Sequence, residues 1–289
     1  MMGGMGRTRP GLSGWVDTAG EWARRVPALA RTLDAVPGIR GPAEARRERR
    51  VALVYGVACH AIFAAAILSM MVGMGFGMTR ALGNLPLPWA WLVNLLLLAQ
   101  FPLGHSLLLS GFGRKVLPRL APPGTGGTLA TTTYAIVASL QLLALFGLWT
   151  PSGIVWWQAE GPALVAIGAL YAASWLLLMK AVWDAGVEVQ SGLLGWFSLW
   201  RGVRPQYPPM PETGLFRLIR QPIYVAFALT TWTVPTWTPD QLAVAATFTL
   251  YCVVGPLAKE RRFDRLFGGA WRTYRARTPY WVPFTRRTS

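Results

Sequence analysis

Long apolar runs alternate with short polar segments along most of the chain. Four runs, at 51–74, 88–111, 129–149 and 162–182, are long enough to cross about 30 Å of hydrocarbon as helices. A further apolar stretch, 222–258, is interrupted at 234–241 by two prolines and Asp240, which favour a turn between two helices. The pattern predicts an all-α, polytopic transmembrane helix bundle of about five to six spans. The last two spans form a helical hairpin with a short first arm, followed by a cytoplasmic tail helix.

Composition supports a membrane protein. Hydrophobic residues make up 53% of the chain, and 28 Lys and Arg outnumber 12 Asp and Glu. The basic residues concentrate in 1–50, in the loop 112–128 and after residue 258, whereas the alternate loops are poor in charge. By the positive-inside rule both termini are cytoplasmic, and we expect a bacterial inner membrane protein. Arginines that flank spans point to membrane lipids as partners and argue against nucleic acid.

The same pattern divides the chain into two parts. Residues 1–50 form a basic cytoplasmic extension in which 20–27 and 42–50 are predicted to be short helices, and residues 51–289 form one membrane domain. Cys59 and Cys252 both fall within predicted spans, so they are expected to be packing residues. No metal site is predicted.

Polar residues stand at both ends of the predicted hairpin. Arg220 and Tyr224 flank Pro222, and proline in a first helical turn costs no hydrogen bond. Glu260 lies near a helix C-terminus, where a carboxylate opposes the helix dipole and needs a partner. Because the two ends of a hairpin meet at one membrane surface, we expect Arg220 and Glu260 to share a cavity in which Arg220 binds a ligand carboxylate. The competing interpretation is an interfacial anchor at Arg220 and a surface ion pair at Glu260.

Both histidines fall within predicted membrane helices, where ionisable groups are functional candidates. His105, which precedes Ser106 near the cytoplasmic surface, is expected to orient a substrate or accept a proton. His60 is expected to hydrogen-bond between helices. A bis-imidazole haem pair is the alternative, although no attachment motif occurs. Asp184 and Gln190 follow the fourth span, and both a solvated helix end and a role in the site stay open for them.

A series of motifs runs from the hairpin into the tail. Its members are Arg220-x-Pro222-x-Tyr224, the membrane hairpin, Glu260, Leu266-Phe-Gly268, Tyr274 and Pro279. This series resembles the C-terminal signature of the isoprenylcysteine carboxyl methyltransferase-like membrane enzymes. Within that group, the segment 214–224, His105-Ser106 and the spacing of Asp184 and Gln190 are most similar to the methanethiol S-methyltransferase branch.

The resemblance implies a cofactor, S-adenosyl-L-methionine, bound between the last two helices and the tail. It implies an acceptor, small or lipophilic, that arrives through the membrane. The cofactor-binding residues it implies are Arg220, Gln221, Pro222, Tyr224, Glu260, Trp271 and Tyr274. It places His105, Asp184 and Gln190 towards the acceptor, and His105, Arg220 and Glu260 are the expected catalytic residues.

Three positions depart from the usual residues of this family. Gln221 replaces a histidine, Lys259 replaces a second glutamate, and Trp271 replaces a tyrosine. Glutamine can hydrogen-bond but cannot titrate, so Gln221 cannot abstract a proton. Lys259 reverses a charge beside the implied cofactor site.

The leading prediction is methyl transfer from S-adenosylmethionine to a small thiol such as methanethiol, giving dimethyl sulfide, at the cytoplasmic membrane face. Two alternatives stay open. One is a methyltransferase acting on a lipid or isoprenoid-linked acceptor. The other is a non-catalytic membrane protein of the nitrite/nitric-oxide reductase accessory type.

Overall fold

The described part of the chain, residues 42–284 of a computed structural model, is helical almost throughout. The helices are α1 (Pro42–Gly75), α2 (Trp89–Leu108), α3 (Gly111–Leu120), α4 (Gly126–Leu148), α5 (Gly161–Asp184), α6 (Val187–Gln190), α7 (Leu193–Arg201), α8 (Leu215–Leu218), α9 (Pro222–Trp232), α10 (Pro239–Phe267) and α11 (Gly269–Arg277). Two short strands, β1 (Trp157–Gln158) and β2 (Thr236–Trp237), pair antiparallel.

Five helices in this part of the chain, α1, α2, α4, α5 and α10, are long and apolar enough to cross a membrane. Each of the four long apolar runs overlaps one of the first four. The prediction of an all-α polytopic bundle is therefore confirmed. Helix α9 has 11 residues, or roughly 16 Å at helical rise, so the first arm of the hairpin is too short to cross alone.

Helix α4 packs against α1, α2, α3 and α7. Gln100 on α2 and Gln141 on α4 each donate a side-chain N–H to the other's backbone carbonyl oxygen, both at 2.8 Å. Such amide contacts hold helices together where no water competes. Gly104 permits the close approach, because a Cβ there would stand 2.2 Å from Gln141 Nε2.

Polar contacts tie the hairpin tip to neighbouring loops. The side chain of Asp240 accepts hydrogen bonds from the backbone N–H of Ser152, at 2.9 Å, and from its hydroxyl, at 2.6 Å. Thr238 Oγ1 donates to the carbonyl oxygen of Gly77 at 2.6 Å. The pairing of β1 with β2 joins the same loops. The tip is thereby held at one end of the bundle, and the two open ends of the hairpin lie together at the other.

The connection between α5 and α9 packs against the bundle through α7, which contacts α1 and α4. Trp196 Nε1 donates to His60 Nε2 at 3.0 Å, which confirms the interhelical hydrogen bond expected of His60. Thr132 Oγ1 donates to the carbonyl oxygen of Gly192 at 2.7 Å and accepts from the Trp196 backbone N–H at 2.9 Å. These bonds fix the start of a segment that leads into the site.

Helix α1 begins at Pro42, so residues 42–50 are its first turns and not a separate short helix. The helix runs across the predicted boundary between residues 50 and 51. The helix predicted at 20–27 lies outside the described residues. The division into an extension and a membrane domain stays a prediction.

Close packing of α1 on α7 yields a first prediction. A Cβ at Gly56 would stand 2.5 Å from the Trp196 ring, which its hydrogen bond to His60 holds in place. We expect Gly56→Ala to destabilise the protein by about 1–3 kcal/mol, measured by thermal unfolding in detergent. Gly168→Ala is the matched control, since no atom lies within 4 Å of its added Cβ. Equal unfolding midpoints for the two variants would contradict this packing.

Candidate functional site

Three side chains converge on one carboxylate at the open end of the hairpin. Glu260 Oε1 accepts a hydrogen bond from Gln221 Nε2 at 2.9 Å and lies 3.5 Å from Arg220 Nε. Its other oxygen, Oε2, lies 3.9 Å from Arg275 Nε. The side chains of Arg220 and Glu260 are only 3% and 11% exposed. The convergence expected from the hairpin is therefore present, and the contact is enclosed, unlike a surface ion pair.

Local sequence explains why these residues meet. Pro222 is the first residue of α9, with Gln221 at its N-cap, so Arg220 and Gln221 precede the helix. At the other end, α10 continues to Phe267 and carries Glu260 on a regular helical turn. The tail closes over them: the Arg220 backbone N–H donates to the carbonyl oxygen of Pro279 at 2.9 Å, and Arg220 Nη1 donates to that of Arg275 at 3.3 Å.

Lys259 faces the same opening from the neighbouring position on α10. Its Nζ donates to Gln221 Oε1 at 3.0 Å and lies 3.4 Å from the carbonyl oxygen of Arg220. Aromatic rings surround the ammonium, with centroids between 5.3 and 5.8 Å away, and they belong to Phe216, Tyr224 and Phe263. Cation–π attraction and two oxygen acceptors offset the cost of enclosing this charge. Tyr224 thus lies at the edge of the cluster.

Aromatic side chains form the tail side of the site. Arg220 Cζ lies 5.1 Å from the ring centroid of Tyr280 and 6.0 Å from that of Trp271. Trp271 is buried and packs edge-on against Phe263 at 5.5 Å. The hydroxyl of Tyr274 donates to the carbonyl oxygen of Phe216 at 2.7 Å. Burial raises the pKa of Tyr274, so the phenol stays a neutral donor at physiological pH.

His105 lies in a second polar cluster, between α2, α4 and α10. The Tyr134 hydroxyl contacts its ring nitrogens at 2.7 and 3.0 Å. The ring of Tyr251 lies 6.2 Å from that of His105 and 6.3 Å from that of Tyr224. Arg262 donates to the carbonyl oxygen of Leu109 at 3.5 Å, at the end of α2. Ring contacts through Tyr251 and then Tyr224 therefore connect His105 to the group formed by Arg220, Gln221, Lys259 and Glu260.

Asp184 lies at the end of α5 and Gln190 at the end of α6, helices that do not carry His105. The Asp184 carboxylate accepts from the backbone N–H of Leu215 at 2.8 Å and forms an ion pair with Lys180. It thereby fixes the entrance to α8, where Gly214 adopts a φ of +60° against this carboxylate. Gln190 is exposed at the end of α6. The acceptor-binding roles suggested for these two residues stay predictions.

The two histidines occupy different surroundings. His60 is bonded to Trp196 and His105 to Tyr134, so these contacts lend no support to a bis-imidazole haem pair. Between residues 42 and 284, no group of three or more His, Cys, Asp or Glu side chains is placed to hold a metal ion.

Several site residues were missed by sequence reasoning. Tyr134 and Tyr251 carry hydroxyls inside long apolar helices, a signal that could have singled them out. Arg275 directly follows the predicted Tyr274, but only the fold shows that it faces Glu260. No sequence signal indicated that the backbone carbonyl oxygen of Pro279 would bind Arg220.

Comparison with known proteins identifies relatives for this arrangement. Methanethiol S-methyltransferase 1 of Bradyrhizobium diazoefficiens is 29% identical over 241 residues, which cover 82% of this chain and 83% of the relative. Methanethiol S-methyltransferase of Mycobacterium tuberculosis is 27% identical over 253 residues, covering 83% of this chain and 99% of the relative. The chain is related to the methanethiol S-methyltransferases. This finding confirms the resemblance to that group of membrane methyltransferases.

The similarity extends beyond bacterial proteins. Nurim of Xenopus laevis is 26% identical over 232 residues, which cover 67% of this chain and 79% of Nurim. No protein-family model matches the chain. No solved structure matches it either.

The buried hydroxyl of Tyr274 generates a second prediction. Tyr274→Phe removes a donor from the Phe216 carbonyl oxygen, so we expect a loss of about 1–2 kcal/mol in the free energy of unfolding. Because the folded-state pKa is raised, this contribution is present below the unfolded pKa of about 10 and is lost as pH rises above it. Chemical denaturation at several pH values measures both effects. The exposed Tyr207→Phe is the control, and an equal loss there would contradict the assignment.

Proposed function

We propose that this protein transfers a methyl group from S-adenosylmethionine to a small thiol such as methanethiol, giving dimethyl sulfide. The observation that carries the proposal is the enclosed convergence of Arg220, Gln221 and Glu260 in a relative of methanethiol S-methyltransferases. When bound, S-adenosylmethionine supplies a methyl group already activated on a sulfonium. The protein therefore has to bind, orient and exclude water.

The charges of the hairpin opening suit the amino-acid portion of the donor. That portion carries a carboxylate and an ammonium, and the site offers the guanidinium of Arg220 beside the carboxylate of Glu260. In the described part of the chain, the ion pair of Glu260 Oε2 is with the half-exposed Arg275, at 3.9 Å. Oε2 is therefore the atom best placed to accept a hydrogen bond from the donor. Tyr224, Trp271 and Tyr274 form the aromatic walls.

The cluster around His105 is the proposed acceptor side. A thiol with a pKa near 8.5 must lose its proton to become a good nucleophile, and nearby positive charge favours the thiolate. Arg262, which donates to the carbonyl oxygen of Leu109 four residues after His105, would supply such a charge at the end of this cluster. His105 would take up the proton, with Tyr134 holding the imidazole in position.

The site is proposed to face the cytoplasm of a bacterial inner membrane. Arg220, Lys259 and Glu260 share one end of the bundle with the basic tail after residue 258. The positive-inside rule assigns that end to the cytoplasm. A small apolar thiol can reach the site from the lipid.

Donor binding provides the third prediction. Arg220→Ala and Glu260→Gln each remove one charge of the proposed donor site, so we expect at least a tenfold loss of affinity, or about 1.4 kcal/mol, for S-adenosylmethionine. Calorimetric titration of the purified protein measures it. The exposed Arg272→Ala, on α11, is the matched control and should bind normally.

Product formation separates the proposed reaction from its alternatives. Purified protein with methyl-labelled S-adenosylmethionine and methanethiol should release labelled dimethyl sulfide. Donor binding with no thioether product would redirect the assignment to a lipid or isoprenoid-linked acceptor. If neither binding nor product were detected, the proposal would be wrong.

The acceptor side yields a fourth prediction. We expect His105→Gln to lower the turnover number by about 10²-fold through loss of a proton acceptor, while the dissociation constant of S-adenosylmethionine stays within about twofold of the unaltered value. Initial rates across a pH series and donor titrations measure the two quantities. Because an external rise in pH supplies the thiolate directly, the deficit should shrink as the pH approaches 9. A parallel loss of donor affinity would contradict the separation of the two sides.

A further inference from the structure

Lys259 and Gln221 are joined by a hydrogen bond that determines how Gln221 is oriented. An ammonium group only donates hydrogen bonds, so the side-chain oxygen of Gln221 must face Lys259 Nζ, at 3.0 Å. The amide N–H groups then point the other way, and Nε2 donates to Glu260 Oε1 at 2.9 Å. The three side chains thus form one directed series from Lys259 through Gln221 to Glu260.

The series leaves the two oxygens of Glu260 unequal. Oε1 receives Gln221 Nε2 and lies 3.5 Å from Arg220 Nε. Oε2 has the looser contact with Arg275, whose side chain is 49% exposed. An incoming amino or hydroxyl group can displace an exposed arginine far more readily than the enclosed partners of Oε1.

The surroundings of Lys259 hold the first member of the series in place. Its ammonium lies between the rings of Phe216, Tyr224 and Phe263 and has a second oxygen, the carbonyl of Arg220, at 3.4 Å. A flexible lysine side chain would otherwise sample several rotamers, and restricting it to one rotamer costs conformational entropy. The aromatic enclosure restricts that motion before any ligand arrives.

We propose that Lys259 is a positioning residue that acts through Gln221 to present Glu260 Oε2 to the amino group or a ribose hydroxyl of the methyl donor. This inference rests on the function proposed above. A carboxylate at position 259 would attract the Gln221 amide N–H groups and turn Oε1 towards Glu260, where two acceptors would repel. Gln221 and Lys259 therefore work as a matched pair. This pairing gives a physical reason why both positions differ from the residues usual in the family that the chain resembles.

A double-mutant cycle tests the pair in the full-length protein. We expect Lys259→Met and Gln221→Leu each to weaken S-adenosylmethionine binding by about tenfold, measured by calorimetric titration. The double variant should bind S-adenosylmethionine at most about 20-fold more weakly than the unaltered protein, because both changes interrupt the same series of hydrogen bonds. Independent contributions would instead multiply to about 100-fold, and that result would overturn the inference.

Two further variants separate positioning from folding. Lys259→Arg keeps a cation that donates hydrogen bonds and stacks on aromatic rings, so it should bind the donor within about threefold of the unaltered protein. If Lys259→Arg and Lys259→Met bind equally weakly while their thermal unfolding midpoints match that of the unaltered protein, the hydrogen bond to Gln221 is not responsible and the inference fails. Arg265→Met, an exposed change on the same helix, is the control and should leave affinity unchanged.

The unaltered protein distinguishes this inference from the function beneath it. If it binds no S-adenosylmethionine, the proposed function and this inference both fall. If it binds normally and Lys259→Met binds as tightly, only the positioning role of Lys259 is overturned.

Discussion

The enclosed carboxylate of Glu260 requires cationic and hydrogen-bonding partners, and the open end of the hairpin is arranged to supply them. A charge removed from water is costly unless paired. Arg220 and Gln221 approach from the start of α9, and Arg275 approaches from α11, so three segments meet at one group. Removing any one partner leaves a buried charge partly uncompensated. The contacts of Glu260 with these partners hold the three segments together and also form a polar site at the edge of an apolar bundle.

The opposite end of the hairpin explains why that meeting point is stable. Asp240 is bonded to Ser152, and β2 pairs with β1, so the tip is fixed to the loop between α4 and α5. Helices α9 and α10 then leave a fixed tip and pack on each other. Arg220 and Gln221, just before the start of α9, thereby lie beside Lys259 and Glu260 near the end of α10.

The site has two chemically distinct sides that meet at Tyr224. Towards the tail lie charged groups suited to a polar, zwitterionic ligand. Towards α2 and α4 lie His105, Tyr134 and Tyr251, which offer neutral hydroxyl and imidazole groups within the bundle. The charged side suits a polar methyl donor, and the side that lies within the bundle suits a small apolar acceptor. This division matches the polar methyl donor and the small thiol acceptor of the proposed reaction.

The sequence by itself determined the long apolar helices and the hairpin, because apolar length and proline positions act locally and need no knowledge of neighbours. It also determined that Arg220 and Glu260 would meet, since a hairpin returns its two ends to one surface. Tertiary structure alone decided that Lys259 donates to Gln221, that Arg275 faces Glu260 and that Asp184 binds the backbone of Leu215. Those contacts depend on side-chain rotamers and on the packing of segments far apart along the chain. Neither is encoded in the spacing of hydrophobic and polar residues.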